Sequence, residues 1–233
     1  MKNSESYLKN TKAIFFDAGG TLIHLDSVRI CRLISDELGV ETFSDKFPRA
    51  QSLAMSRVAE LVAEGAGSTE SLKDQFYLTL LPEIGVPEDK LTHAIEHVLA
   101  LARAEMLWRK AEPQTASTLE ELKERGLRLA VVSNSDGRIR HAFEQAGLDA
   151  YFDFFIDSFL IGVEKPDPRI FQLATEQAGV DTGEAAYVGD LYHVDVVGAR
   201  AAGLLPVLYD PFQLYPDADC LTIRAISDLL TLI

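Results

Sequence analysis

The chain is poor in several features that mark particular classes of protein. Its 233 residues include two cysteines, Cys31 and Cys220, which stand far apart and fit no metal-ligand spacing. We expect both to be free thiols of a reducing compartment, and therefore a cytoplasmic protein. No apolar run approaches the about 20 residues that a membrane helix needs. The polar stretch of residues 1–12 also lacks the apolar segment of a secretory signal.

Positive charge is scarce as well. The chain carries 22 Lys and Arg against 36 Asp and Glu, which gives a formal net charge of −14. Nucleic acids and anionic membrane surfaces are bound mainly through Lys and Arg, so we expect neither as a partner. If the substrate is itself an anion, its site has to supply positive charge locally, and a metal ion is the obvious source.

What the chain does have is an ordinary globular composition, with 47% hydrophobic and 25% charged residues. An apolar run at residues 13–16 ends in Asp17 and is followed by Gly19 and Gly20, which predicts a buried strand that closes in a tight turn. From about residue 26 to residue 107 the pattern is helical, with breaks at residues 65–68 and 82–87. The apolar positions that mark these helices are Val28, Leu33, Ile34, Leu38, Leu53, Val58, Leu61, Val62, Leu91, Ile95, Val98 and Leu101.

From residue 113 onward, strands and helices alternate. Ser117 with Glu120 resembles a capping box, and Asp167 followed by Pro168 is a strong helix start. Further helices are predicted around residues 141–145 and 195–202. Strands are predicted at residues 127–132, 152–156, 185–188 and 205–209.

This alternation indicates an α/β fold with a doubly wound parallel sheet that helices cover on both faces. The all-helical block stands between the first strand and the others. We therefore expect an α/β core formed by residues 1–24 and 110–233, with a helical cap domain of residues 25–109 inserted into it.

Polar side chains stand where the predicted strands end or the capped helix begins. In a doubly wound sheet, ligands bind at the carboxyl ends of the strands. The candidates at these positions are Asp17, Ser133, Asn134, Lys165, Asp190 and Asp195. Carboxylate oxygens suit Mg²⁺, and a carboxylate can also act as a nucleophile. Ser133 and the amides near Gly19 and Gly20 could hold phosphate oxygens, so the set suits phosphoryl chemistry.

In chain order, these segments resemble the four motifs of the haloacid dehalogenase-like hydrolases. They are the sequences FDAGGTL at residues 16–22, VSNSD at 132–136, EKPD at 164–167 and GD at 189–190, the last followed by Asp195 and by GARAAG at 198–203. Any one motif alone would be weak evidence, but four in this order are strong. The insert between the first two motifs is similar to that of the subfamily with a helical cap.

The resemblance implies a role for each matching residue. Asp17 would be the nucleophile and a metal ligand, and the carbonyl of Gly19 with the carboxylates of Asp190 and Asp195 would complete a Mg²⁺ site. Lys165 would be catalytic, bridging the nucleophile and the phosphate. The residues implied in binding phosphate or shaping its pocket are Ser133, Asn134, Gly20 and Thr21. The implied activity is hydrolysis of a small phosphorylated metabolite through a phospho-aspartyl intermediate, with a monomer as the default state and a dimer left open.

One position departs from the family pattern. Phosphatases of this family usually carry a second Asp two residues after the nucleophile, as general acid and base, and this chain has Gly19 there. Loss of such a group typically lowers the rate by roughly 10²–10⁴-fold. The departure keeps two alternatives open: a non-catalytic binding protein, and a phosphonate or haloacid hydrolase. A phosphonate hydrolase would need a cap lysine, for which Lys73 and Lys90 are candidates, and His24 is a candidate substitute acid or base.

Overall fold

The computed structural model describes residues 7–65 and 69–233, so residues 1–6 and residues 66–68 of a predicted break lie outside it. The chain divides into two compact units. The α/β unit runs up to Ile23 and resumes at Ala111, and the helical unit is His24–Lys110. No helix in the described ranges combines the length and the hydropathy needed to cross a bilayer.

Six parallel strands form the sheet of the α/β unit, and two short strands belong to the helical unit. In chain order the strands are β1 (Ala13–Phe16), β2 (His24–Leu25), β3 (Trp108–Lys110), β4 (Arg128–Ser133), β5 (Phe154–Asp157), β6 (Ala185–Gly189), β7 (Leu205–Tyr209) and β8 (Leu221–Ile223). The large sheet has the order β5-β4-β1-β6-β7-β8, with every pair parallel. The predicted parallel sheet is confirmed, although the edge strand β8 is not among the predicted strands.

Nine α-helices surround these strands in the described parts of the chain. Four lie in the helical unit: α1 (Ser27–Leu38), α2 (Phe47–Ala63), α3 (Thr69–Glu83) and α4 (Leu91–Ala104). Five lie in the α/β unit: α5 (Thr115–Glu124), α6 (Ile139–Ala146), α7 (Ser158–Ile161), α8 (Pro168–Ala178) and α9 (Val197–Ala201).

The central strand β1 is apolar throughout because both faces of the sheet are covered. All four of its residues are buried. Phe15 lies in one hydrophobic cluster with Ile170 and Phe171 of α8. Phe16 points to the opposite face and meets Phe152 edge-on, with 6.2 Å between ring centroids. Burial of each Phe contributes about 1.5–3 kcal/mol, so this strand anchors both layers of the unit.

Helix α8 begins as predicted, whereas α5 does not. The side chain of Asp167 accepts a hydrogen bond from the Arg169 amide at 2.9 Å and caps α8. Helix α5 starts at Thr115, and the Ser117 hydroxyl donates to the Gln114 carbonyl from inside the helix. The predicted capping box at Ser117 is therefore wrong. Thr115 is 2% exposed, so tertiary packing draws the first turn into the core and sets the helix start.

The predicted helix after β6 also begins earlier than expected. A π-helical turn spans Tyr192–Val196 and leads directly into α9. The Asp195 amide donates to the Leu191 carbonyl at 2.7 Å, and the Asp195 carboxylate accepts from the Leu191 amide at 2.9 Å. Wide turns of this kind are frequent at functional sites.

The helical unit has its own core, and some of the predicted apolar faces are misplaced. Ile34, Val98 and Leu101 are buried as the pattern predicts. Val28 is 61% exposed and Val62 is 39% exposed, so both assignments are wrong. The buried face of α2 is instead formed by Phe47, Ala50, Gln51, Ala54 and Ala59. Alanine signals burial weakly in a hydrophobic pattern, although its small side chain permits close helix packing.

Within the helical unit, Asp26 ties together its first and last segments. It caps α1 by accepting from the Arg29 amide at 3.1 Å, and it accepts from Nε and Nη2 of Arg109 at 3.0 and 2.9 Å. Trp108 packs against Phe76 with 6.2 Å between ring centroids. Arg109 and Trp108 thus both make contacts that stabilise this unit.

We predict that Gly198→Ala destabilises the protein by about 1–3 kcal/mol. A Cβ at this position would lie 2.6 Å from the Phe171 ring and 3.0 Å from the Pro166 Cα atom. Helix propensity acts in the opposite direction, since alanine is favoured over glycine by about 1 kcal/mol. Urea denaturation measures the free energy of unfolding. Gly183→Ala is the matched control because its Cβ would meet nothing within 4 Å, and equal effects of the two changes would contradict the packing argument.

Candidate active site

Asp17, Ser133 and Asp190 lie at or directly after the carboxyl ends of three neighbouring strands. Strand β1 pairs in parallel with β4 on one side and with β6 on the other. The Asp17 amide donates to the Val188 carbonyl at 2.8 Å, so the ladder continues up to the candidate nucleophile. Since the strands run in the same direction, their ends meet at one edge of the sheet.

The ammonium group of Lys165 lies between two carboxylates at this edge. Its Nζ donates to Asp17 Oδ1 at 2.6 Å, to Asp195 Oδ1 at 2.7 Å and to the Tyr187 hydroxyl at 2.8 Å. An ammonium has three protons, and these bonds use all of them. Burial disfavours the charged form, but Asp17 and Asp195 outweigh burial and raise the pKa of Lys165. Lys165 is therefore a fixed positive charge beside Asp17.

Asn134 positions the backbone of this lysine. Its Oδ1 accepts from the Lys165 amide at 2.8 Å, and its Nδ2 donates to the Lys165 carbonyl at 3.0 Å. Both ends of the Asn134 amide are thus engaged by one residue. Because Asn134 directly follows β4, these two bonds join the end of that strand to the segment that carries Lys165.

Three carboxylates converge beside the lysine. Asp17, Asp190 and Asp195 are all buried, and each offers an oxygen such that the three atoms lie within 4.8 Å of one another. Burial raises the pKa of Asp190 well above its ordinary value, and the charges of Asp17 and Asp195 raise it further. Burial also raises the pKa of Asp17, although Lys165 opposes the shift. One ammonium does not balance three carboxylates, so keeping all three ionised calls for a further cation.

Two glycines allow the carboxylates to lie this close to the backbone. A Cβ at Gly20 would overlap the Asp190 carboxylate, and Gly20 also has a φ of 95°. A Cβ at Gly189 would overlap the Asp195 carboxylate. The Thr21 hydroxyl donates to Asp190 Oδ1 at 3.1 Å and orients that carboxylate. A larger residue at either glycine would therefore displace one of the carboxylates.

The donor set fits a hard divalent cation. Mg²⁺ binds carboxylate oxygens and retains waters, and it needs no enclosed cage of protein ligands. The buried carboxylates Asp17, Asp190 and Asp195 supply such oxygens, and their mutual repulsion is what a bound cation would relieve.

Ser133, Gly19 and Gly20 complete the predicted set. Ser133 is buried at the end of β4, opposite Asp157 of β5. Gly19 is half-buried and forms a bridge with Ile23. The Gly20 amide donates to the Ile23 carbonyl at 2.9 Å. Because that amide is already used, Gly20 serves this edge by its missing side chain and not by the expected amide contact to phosphate.

Two residues of this edge were not predicted from the sequence. Tyr187 accepts from Lys165 and donates from its hydroxyl to the Val132 carbonyl at 2.7 Å. Asp157 accepts from the backbone amides of Gly137 and Ile139, and so holds the turn after Ser133. Asp157 ends a strand, so the strand-end rule could have identified it. Tyr187 lies inside a buried strand, where the sequence carries no such signal.

Two of the three candidates of the helical unit, His24 and Lys90, have partners within that unit. The Leu25 amide donates to Gln51 Oε1 at 2.9 Å, which leaves the Gln51 amide nitrogen beside His24 Nδ1 at 3.2 Å. That nitrogen donates, so Nδ1 accepts and the ring proton lies on Nε2. Lys90 donates to the Leu38 carbonyl at 2.8 Å, at the C-terminal end of α1, and Lys73 is exposed.

Comparison with known proteins places the chain in a family. A family model described as haloacid dehalogenase-like hydrolase matches residues 11–203. Haloacid dehalogenase-like hydrolase domain-containing protein 3 of Mus musculus is 46% identical over 87 residues, which are 37% of this chain and 35% of the relative. The glyceraldehyde 3-phosphate phosphatase of Methanothermobacter thermautotrophicus is 28% identical over 200 residues, 84% of each chain. The match spans only 35% to 48% of the length of several curated relatives, the mouse protein among them.

A solved structure gives the same result. The crystal structure of a HAD phosphatase from Thermococcus onnurineus is similar over 94% of this chain and 96% of that one, with 26% identity and a TM-score of 0.58. The region matched by the family model contains the strand ends that carry Asp17, Ser133 and Asp190 as well as the segment of Lys165. The chain therefore belongs to the haloacid dehalogenase-like hydrolases.

Proposed function

We propose that the protein is a metal-dependent phosphatase that transfers the phosphoryl group of a small soluble substrate to Asp17 and then to water. The observation that carries this proposal is the Lys165 ammonium, which is bonded to Asp17 and Asp195 at once at a site where three carboxylates converge. A carboxylate must be ionised and held still to attack phosphorus, and the adjacent ammonium does both.

In the first step, the Asp17 carboxylate attacks phosphorus as the bond to the leaving oxygen breaks. In the second step, water attacks the same phosphorus and restores the carboxylate. The Lys165 Nζ atom lies 2.6 Å from Asp17 Oδ1, so its positive charge stabilises the negative charge of the phosphoryl group during transfer. Ser133, at the neighbouring strand end, donates its hydroxyl to a phosphoryl oxygen.

Asp17, Asp190, Asp195 and the Gly19 carbonyl would hold Mg²⁺. The bound ion would supply Lewis-acid neutralisation of the phosphoryl oxygens. Thr21 keeps the Asp190 carboxylate in place for this role through its hydroxyl. The charge of the ion would then oppose the rise that burial causes in the pKa of Asp190 and of Asp17.

The proposal also covers the role of the helical unit, the class of substrate, the compartment and the oligomeric state. The helical unit would take the role of the inserted cap domain. The relative named as glyceraldehyde 3-phosphate phosphatase supports a small phosphorylated metabolite as substrate. The half-buried free thiols of Cys31 and Cys220 fit a reducing compartment such as the cytoplasm. A monomer is the default state, and a dimer is left open.

One observation supports a second candidate, a protein that binds phosphate compounds without turnover. Gly19 offers no side chain as acid or base. The retained cluster of Asp17, Lys165, Asp190 and Asp195 favours catalysis, because a binding site has no need of a buried nucleophilic carboxylate. Dehalogenation dispenses with metal, so the full set of three metal-type carboxylates argues against it.

We predict hydrolysis of 4-nitrophenyl phosphate that requires both Mg²⁺ and Asp17. EDTA and Asp17→Asn should each reduce turnover to the uncatalysed rate, because one removes the charge balance and the other removes the nucleophile. Release of nitrophenolate measures the rate. Asp217→Asn, at an exposed aspartate of the same unit, is the matched control and should leave the rate unchanged. Turnover that survives in Asp17→Asn would refute the proposed nucleophile.

We also predict opposite effects on stability from two neighbouring substitutions in metal-free buffer. Asp190→Asn should stabilise the protein by on the order of 1 kcal/mol, because it removes a charge that burial and two carboxylates disfavour. Asp195→Asn should destabilise it by roughly 3 kcal/mol, because Lys165 loses one of its two carboxylate partners.

The pH dependence has a definite sign. The folded-state pKa of Asp190 is raised, so the folded wild type loses stability as pH rises through that pKa. The gain from Asp190→Asn should therefore be small in acid and grow toward neutral pH in thermal unfolding with EDTA. Mg²⁺ should then raise the Tm of wild type and not that of Asp190→Asn. A lower Tm for metal-free Asp190→Asn at neutral pH would contradict the assigned repulsion.

A further inference from the structure

Three proton-bearing side chains near the carboxylate cluster already use their protons. All three protons of Lys165 are donated, to Asp17, Asp195 and the Tyr187 hydroxyl. The Tyr187 hydroxyl donates its own proton to the Val132 carbonyl. The Thr21 hydroxyl donates to Asp190. None of these three groups therefore holds a proton ready for a departing oxygen.

Position 19 is the open point of the nucleophile turn. Across residues 13–23, Gly19 alone is half-buried and the others are buried. A leaving oxygen that faces this point meets a residue with no side chain. A glycine there supplies no acid to that oxygen.

The Nδ1 atom of the His24 imidazole is already engaged within the helical unit. Gln51 donates to it, and the Leu25 amide fixes the orientation of the Gln51 amide. With Nδ1 accepting this bond, that nitrogen carries no proton for a leaving oxygen.

The committed protons and the glycine at position 19 affect which phosphoryl compounds the protein can cleave. An alkoxide is a strong base, so a sugar or alcohol phosphate ester needs a proton on its leaving oxygen as the bond to phosphorus breaks. A carboxylate or a phosphate leaves as a stable anion and needs none. The identity of the leaving group thus decides whether the missing donor matters.

On the basis of the proposed phosphatase function, we propose that the natural substrate carries its phosphoryl group on an oxygen that departs as a stable anion. Acyl phosphates and phosphoric anhydrides share this chemistry, whereas sugar and alcohol phosphate esters lack it.

The reaction balances without an acid from the protein. An Asp17 oxygen forms a bond to phosphorus, and the electron pair of the broken bond stays on the departing carboxylate or phosphate. Water then attacks phosphorus, and the bond to Asp17 breaks with its electron pair returning to the carboxylate. One proton of the water stays on the attacking oxygen, and the other passes to a phosphoryl oxygen of the released inorganic phosphate.

The test measures kcat/KM with Mg²⁺ for a series of phosphate monoesters of increasing leaving-group basicity. The series runs from 4-nitrophenyl phosphate through phenyl phosphate to an alkyl phosphate, with acetyl phosphate and pyrophosphate as two further arms. kcat/KM includes steps only through the first irreversible one, so slow release of the phosphoryl group from Asp17 does not mask the dependence. We expect a fall of at least about 10²-fold from the nitrophenyl to the alkyl ester.

Acetyl phosphate and pyrophosphate distinguish an acyl phosphate from a phosphoric anhydride as the class of natural substrate. Turnover of acetyl phosphate or pyrophosphate at least about 10²-fold faster than the alkyl ester supports the inference and identifies the class. An alkyl ester cleaved as fast as both would overturn it.

A pair of variants tests whether a proton donor introduced at position 19 speeds the cleavage of the alkyl ester. Gly19→Asp and Gly19→Asn add side chains of nearly equal size, keep the backbone carbonyl, and differ in whether a carboxylic acid is present. The Asp variant should cleave the alkyl ester about 10²-fold faster than the Asn variant, and the two should differ little on 4-nitrophenyl phosphate. Equal rates of the two variants on the alkyl ester would overturn the inference.

The failure of this inference can be told from the failure of the proposed function. No turnover of any compound, including 4-nitrophenyl phosphate, removes the phosphatase proposal and the inference with it. Rapid cleavage of the alkyl ester leaves a phosphatase but overturns the inference. If His24→Gln then abolishes cleavage of the alkyl ester and spares the nitrophenyl ester, His24 is the group that donates the proton to the leaving oxygen.

Discussion

The site depends on a single buried ammonium group with three hydrogen bonds. Lys165 links Asp17 after β1, Tyr187 within β6 and Asp195 in the π-helical turn, and Asn134 after β4 grips its backbone. Each partner comes from a different segment, so the lysine joins the ends of β1 and β4, the interior of β6 and the turn that follows β6. Because no proton of the ammonium remains free to bond elsewhere, its position is set by the fold and not by solvent.

Mutual repulsion among buried carboxylates destabilises the region around this ammonium group. Three buried carboxylates share one positive charge, and the pKa of Asp190 is raised by burial and then by its neighbours. A buried ion pair of this kind is weak evidence for stability, since desolvation offsets much of the attraction. The glycines at positions 20 and 189 bring the carboxylates even closer to the backbone. Such an arrangement is better explained by the binding of a cation and a phosphoryl group than by folding.

Predictions from the sequence were best where a local rule was sufficient. The buried run ending at Asp17, the cap at Asp167 and the alternation after residue 113 led to the parallel sheet. Ser117 and Val28 show the limit of such rules, because packing moved the start of α5 and turned Val28 of α1 toward solvent. Tyr187 could not be predicted at all, since a tyrosine in an apolar strand normally indicates only core packing.

The sequence by itself determined the fold class and the identity of the groups at the strand ends, including the glycine at position 19. Alternating polarity, caps and motif spacing are local properties, and here they placed Asp17, Ser133 and Asp167 at ends of elements without information on the neighbouring elements. Only the tertiary structure decided which acceptors receive the protons of the Lys165 ammonium. Lys165 and Asp17 lie 148 positions apart in the chain, so the hydrogen bond between them exists only in the folded protein. Which donor meets which acceptor follows from distances that no spacing in the sequence encodes.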